Sequence, residues 1–285
     1  MKTYPKCIEC FFRQTADASK LAGFDDALRK KAMDIIEKAV PNFSMELSPP
    51  EMARTIYGTI YDLSGGKDVY CDLKKKSNEM ALELYQDLND KVERSDDPLF
   101  TAVRTAVAGN VIDYGVPHSF AIDQEFKEAL GKDFAIFDIE AFREALAASK
   151  KVLYLLDNAG EIVFDKILVE TLNVDVVCAV RGTHVINDVT MADAVEVGLD
   201  TVSKVISSGS DLPGTRPEMC TDEFREYYNN ADLIISKGQG NFETLSDEDS
   251  PIFFIFKAKC DVVAEHIGCE LGDIILKKSD NYRSV

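Results

Sequence analysis

The chain has 285 residues, 46% of them hydrophobic and 29% charged, enough to bury a sizeable core in one large domain or two modest ones. Its 32 Lys and Arg stand against 50 Asp and Glu, a formal net charge of −18 that repels phosphate backbones and anionic lipids, so neither nucleic acid nor membrane is the expected partner. No apolar run approaches the roughly 20 residues a bilayer span needs, and Met1-Lys2-Thr3-Tyr4-Pro5-Lys6-Cys7 puts charge and proline where a signal peptide needs apolar residues, so a cytoplasmic protein is expected.

Seven thinly spread cysteines read as reduced thiols rather than a disulfide framework. Cys7 and Cys10 would share one face of a helix, where they could bind metal, form a redox pair or pack as small apolar groups. A structural zinc wants four ligands, and with no second Cys-x-x-Cys only Cys71 and Cys260 offer to complete a set. The histidines, His118, His184 and His266, are scattered and there is no tryptophan, so a catalytic metal would lean on oxygen ligands.

The first half reads as helices. Leu28, Ala32, Ile35, Ile36 and Ala39 recur at helical spacing until Pro41. Ser48, then Pro49, Pro50 and Glu51, is a helix start with a serine cap, followed by Met52, Ile56 and Ile60 on one face. Two more helical stretches span 72–92 and 97–113, before an exit at Gly115-Val116-Pro117. This region reads as a helical bundle or cap over 1–145.

From 146 to 285 the period changes. Short runs rich in Val, Ile and Phe at 151–156, 174–180, 202–206, 231–235 and 251–256 suit buried strands, and amphipathic stretches such as 162–172 and 222–229 lie between several of them. That alternation predicts an α/β fold, a mostly parallel sheet with helices on both faces, preceded by the all-helical N-terminal region. Polar residues follow each strand, so the loops should converge at the carboxyl ends, where such sheets bind ligands.

Three clusters carry candidate chemistry. Asp157-Asn158-Ala159-Gly160-Glu161 offers adjacent oxygen donors at a strand end, or simply a turn and a helix cap. Asn187-Asp188-Val189-Thr190 adds a further carboxylate, with Asp193 able to orient it, or again only a cap. Together they would make a carboxylate, amide and carboxylate set suited to Mg²⁺ or Mn²⁺. Lys237-Gly238-Gln239-Gly240-Asn241-Phe242-Glu243 could cradle an anion, though it is neither a dinucleotide fingerprint nor a Walker loop. Lys257 and Lys259 add positive charge, or are solvated heads.

These clusters, with Ser208-Gly209-Ser210-Asp211-Leu212-Pro213-Gly214 and Lys257-Ala258-Lys259-Cys260 in the same order, resemble the ARMT-like damage-control phosphatases. The resemblance covers most of 150–262 and extends to Cys7-Ile8-Glu9-Cys10 and to the motif at 108–113. The Cys-x-x-Cys start resembles the prokaryotic branch. It implies a Rossmann-like core behind a helical region, and metal-dependent hydrolysis of small phosphorylated metabolites such as sugar phosphates. By the resemblance, Asp157, Asn158 and Asp188 hold the divalent cation (Mn²⁺ or Mg²⁺, with Co²⁺ or Ni²⁺ as alternatives). Glu161 faces the substrate or its attacking water; Asn241 and the Lys237-Gly238-Gln239-Gly240 loop bind substrate; and Lys259 reaches the phosphate. The nucleophile is either water or Asp157 itself. Two rival readings are a carboxyl methyltransferase using S-adenosylmethionine, for which an early glycine-rich strand-turn-helix is missing, and a non-enzymatic cysteine-metal interaction module. Neither the substrate nor the oligomeric state follows from the sequence.

Overall fold

The computed structural model describes residues 1–109 and 130–283. The end of the helix expected over 97–113, the Gly115-Val116-Pro117 exit, His118 and positions 110–113 of the quoted motif lie outside those residues.

Among the described residues, these α-helices come first: α1 (Pro5–Leu21), α2 (Asp26–Ala39), α3 (Pro49–Leu63), α4 (Cys71–Glu93) and α5 (Pro98–Gly109). Glu51 accepts a hydrogen bond from the Ser48 backbone N–H (2.9 Å), closing the capping box that opens α3. An alternating β/α region follows: β1 (Phe134–Phe137), α6 (Ile139–Ala148), β2 (Lys151–Leu155), α7 (Glu161–Thr171), β3 (Asp175–Val180), α8 (Met191–Glu196) and β4 (Lys204–Ser207). It continues with α9 (Asp222–Asn230), β5 (Leu233–Lys237), α10 (Gln239–Leu245), β6 (Ile252–Lys257), α11 (Asp261–Ile267) and β7 (Ile274–Lys278).

The seven strands form one sheet in the order β1-β7-β6-β5-β2-β3-β4. Strands β2 to β6 run parallel to one another; β7 is antiparallel to β6, and β1 is parallel to β7. The sheet therefore takes one strand, at 134–137, from the part of the chain that the sequence pattern left wholly helical.

Strand alternation divides the core into two layers. Val152, Tyr154 and Leu156 pack with Phe164, Ile167 and the buried faces of α4 and α5 on one side. Leu153 and Leu155 pack with Phe11, Ile36, Ile56, Phe254 and Phe256 on the other. The N-terminal helices thus cover both faces of the sheet. Burial on both sides is why the central strands read as unbroken apolar runs. Among the described residues, no helix is long and apolar enough to cross a membrane.

Candidate active site

The carboxyl ends of β2 and β3 meet because their following loops are stitched together through the backbone. Asn158 and Asp188 form an isolated antiparallel bridge, and Val189 N–H donates to the Asp157 carbonyl (2.9 Å) while Ala159 N–H donates to the Asn187 carbonyl (2.9 Å). The two acidic clusters, thirty residues apart in sequence, become one surface. Gly160 turns the chain at φ +79° into α7, its N–H held by Asn78 Oδ1 at 2.7 Å. A side chain of the helical region thereby fixes the turn.

Asp157, Glu161 and Asp188 are 8%, 1% and 3% exposed, a dense group of buried carboxylates. Burial, then the charges of Asp188 and Glu161, push the Asp157 carboxyl up to about 8, with Lys259 and Arg181 opposing. Asp188 is raised too, by burial first, against Arg181 and with Glu161 adding to the rise. Arg181 Nε donates to Asp188 Oδ2 at 2.6 Å, and Nη2 lies 3.8 Å from Asp157 Oδ1. Asn158 Nδ2 donates to Asp157 Oδ2 (2.6 Å) and Glu161 Oε2 (3.1 Å), which leaves the amide oxygen as its ligating atom.

This donor set fits a hard divalent cation. Its negative charge is buried and costly, and its donors are all oxygens. Among the described residues no three His, Cys, Asp or Glu side chains stand in ligand positions around one point. An ion here would be held by two carboxylates and an amide, with solvent or substrate oxygens completing its shell.

The residues expected to bind substrate divide into two groups. Lys237 is fully buried. Its ammonium donates to Glu161 Oε1 (2.7 Å), the Ala106 carbonyl (3.1 Å) and Asp165 Oδ1. It is a counter-ion beneath the site, and its charge does not reach outward to cradle phosphate. Asn241 is equally internal: its Nδ2 donates to the Lys237 carbonyl (2.7 Å), and its Oδ1 accepts from Thr215 Oγ1 (2.8 Å) and Arg181 Nη2 (3.2 Å). Gly238 N–H is used by the Ile255 carbonyl (3.1 Å), and Gln239 Oε1 accepts from the Lys259 backbone (2.7 Å). Gly240 is needed for close packing, since a Cβ there would lie 2.2 Å from the Pro213 carbonyl oxygen. The loop is thus an internal clamp. Lys259 differs: its side chain is exposed and its charge is felt by both Asp157 and Asp188.

Asp193 does not touch Asp188. Its Oδ2 accepts from Thr190 N (2.8 Å), Thr190 Oγ1 (2.6 Å) and Lys74 Nζ (3.0 Å), closing the capping box of α8. All seven cysteines are free thiols; Cys7 is buried within electrostatic reach of Cys10 and Cys260, whereas Cys71 is exposed.

Arg181, Asp165 and Tyr154 were not anticipated. Arg181 follows an apolar strand directly, and a cation at such a place is the signal that was available. Asp165 is an acidic residue fully buried within a helix that is buried at every position of 161–169 except Lys166, and Tyr154 OH donates to its Oδ1 at 2.8 Å. One ammonium serves both Glu161 and Asp165. Burial and the Glu161 charge hold the Asp165 carboxyl up to about 7 despite that ammonium, and the two carboxylates keep Lys237 protonated.

Known proteins resemble this chain over nearly its whole length. The family model of the damage-control phosphatase ARMT1-like domain matches residues 3–275. An uncharacterized protein of Methanocaldococcus jannaschii is 35% identical over 98% of this chain and 96% of its own. A damage-control phosphatase of Pyrococcus horikoshii is 34% identical (98% and 99% covered), as is one of Archaeoglobus fulgidus (97% and 99%). The crystal structure of a DUF89 family protein from Pyrococcus horikoshii superposes with a TM-score of 0.90 at 33% identity, covering 98% of this chain and 100% of that one. By sequence and by fold, the chain belongs to the ARMT1-like damage-control phosphatase family.

Proposed function

We propose that the protein is a divalent-metal-dependent phosphatase that hydrolyses phosphomonoesters of small metabolites, in the service of metabolite damage control. The observation that carries this reading is the pair of buried carboxylates, Asp157 and Asp188, joined across two strand ends beside the cations Arg181 and Lys259. The phosphatase names of two relatives support the reaction class.

Asp157, Asn158 and Asp188 would hold the cation, Mn²⁺ or Mg²⁺ by ligand type, which when bound would supply positive charge to polarise a phosphoryl oxygen and make water more acidic. The chain's own residues do the rest. Arg181 holds Asp188 in place by a charge-assisted bond and balances part of its charge. Lys259, on an exposed stem, would meet the oxygens of a phosphoryl group as negative charge shifts among them. Glu161 is held by Lys237 through one oxygen and by Asn158 through the other, so its carboxylate is fixed facing the ligand set. With Gly238 packed against Asp157, the carboxylate has little freedom to turn.

The test is phosphate release from chelator-treated protein on sugar phosphates, nucleotides and p-nitrophenyl phosphate, with Mg²⁺, Mn²⁺, Co²⁺, Ni²⁺ and Zn²⁺ restored singly. Asp157→Ala should lower the restored rate by about 10³-fold or more while remaining folded. Equal rates with and without metal would refute metal dependence. No release under any condition, with tight S-adenosylmethionine binding, would favour the methyltransferase instead.

A further inference from the structure

The buried face of α4 changes character along its length. Ala81, Leu88 and Val92 are apolar, as packing on a core requires, whereas Lys74, Ser77 and Asn78 are polar and equally buried. Placing an ammonium and an amide where apolar side chains would pack is unfavourable unless both find partners. Lys74 and Asn78, 3% and 0% exposed, stand one turn apart on the same side of the helix. Their partners lead to the two loops that carry the proposed metal ligands.

Asn78 holds the first loop. Its Oδ1 accepts from the Gly160 backbone N–H at 2.7 Å, and its Nδ2 donates to Glu196 Oε2 at 2.8 Å. An N–H at the start of a helix has no partner within that helix, and Asn78 supplies one from outside. Gly160, at φ +79°, stands between Asn158 and Glu161, so this bond fixes the turn that sets those two side chains against each other. Lys74 holds the second loop. Its ammonium lies 3.0 Å from Asp193 Oδ2, the oxygen that also accepts from the N–H and Oγ1 of Thr190, two positions after Asp188. It lies 3.0 Å from Asp68 Oδ2 as well, and His184 Nδ1, four positions before Asp188, is 2.9 Å from that same oxygen. One ammonium thus anchors the Asp188 loop on both flanks. Burial works against its charge, and Asp193 and Asp68 more than offset that, so it stays protonated.

Resting on the phosphatase reading, we propose that Lys74 and Asn78 are positioning residues of the metal site, holding its two ligand-bearing loops in register from one face of α4. Asp157, Asn158 and Asp188 are then gathered before a cation arrives, and the cation need not spend binding energy on ordering them. Both residues act through a backbone N–H and a helix cap rather than on the cation itself. Because the Asn158–Asp188 bridge already joins the two loops, a shift in either one displaces ligands on both. The helical region therefore contributes to the site as well as to the core.

The test follows backbone hydrogen exchange in metal-free protein, and Mn²⁺ affinity by calorimetry, in wild type, Asn78→Ala and Lys74→Ala. Leu88→Ala, which thins the core about 15 Å further along α4, controls for lost stability alone. Asn78→Ala should speed exchange across 157–161 and Lys74→Ala across 184–190. Each should weaken Mn²⁺ binding by about 10–100-fold, while Leu88→Ala melts lower yet keeps wild-type affinity. The double variant Asn78→Asp/Glu196→Gln exchanges amide and carboxylate, keeps both hydrogen bonds and should restore affinity. Asn78→Ser, run beside it, keeps the comparison if the alanine variant does not fold. Wild-type affinity in folded Asn78→Ala or Lys74→Ala, or an equal loss in Leu88→Ala, would overturn the proposal and leave α4 a purely structural helix. Wild type that binds Mn²⁺ but releases no phosphate from any ester would refute the phosphatase reading alone, since exchange and affinity are read without turnover.

Discussion

Gly238 shows how little room the site leaves. It runs at φ +83°, and a Cβ there would stand 2.0 Å from Asp157 Oδ2, so even alanine must displace the carboxylate or the loop. Gly238→Ala is expected to cut phosphate release by about 10²-fold, the usual result of displacing a reacting group by about an ångström. Far-ultraviolet circular dichroism should be unchanged. Wild-type turnover in that variant would show that Asp157 need not hold its position. The same logic separates Lys237 from Lys259. Both follow strand ends in the sequence, but a lysine's stem is long enough to put its charge on either side of a loop. Lys237 turns inward to two carboxylates, and Lys259 stays in solvent. Residue type and position gave no way to tell them apart, because the deciding partner, Asp165, lies 72 positions away.

The elements were legible where burial imposed a pattern. The five apolar runs became β2 to β6, and the acidic and amide residues at their ends came together as the parallel sheet requires. Strand β1 has only four residues with half-buried alternation at a sheet edge, and β7 ends in two lysines, so neither carries the continuous apolar signal of a central strand. The capping boxes at Ser48 and Thr190 are local and could be read directly, or nearly so. The packing of α5 on α7 was invisible, since it depends on two distant residues fitting together. A Cβ at Gly109 would lie 2.4 Å from Phe164 Cδ2. Gly109→Ala should therefore destabilise the protein by about 1–3 kcal/mol through overpacking, despite alanine's better helix propensity. Urea unfolding checks this; a stabilised variant would mean that the two helices separate easily.

At the scale of the whole molecule, a few carboxyls are buried, where negative charge is costly. Asp165 and Glu243, both buried, are raised to about 7, Glu243 by burial against its bond from Gln239. A carboxyl raised on folding contributes stability in full below its unfolded pKa of about 4, and that contribution is lost as pH climbs through the folded value. Metal-free protein should therefore melt several degrees lower at pH 8 than at pH 5, and Glu243→Gln should flatten part of that slope. An equally steep slope in the variant would remove Glu243 as a cause. The proposed function turns on whether Asp157 and Asp188 gather a cation on which phosphoryl transfer depends. Titrating Mn²⁺ into chelator-treated wild type and Asp188→Ala by calorimetry, with phosphate release followed in the same samples, tests it most directly. One site is expected in the wild type, its occupancy tracking turnover, with both lost in the variant; turnover that persists in Asp188→Ala, or that is indifferent to bound Mn²⁺, would overturn the assignment.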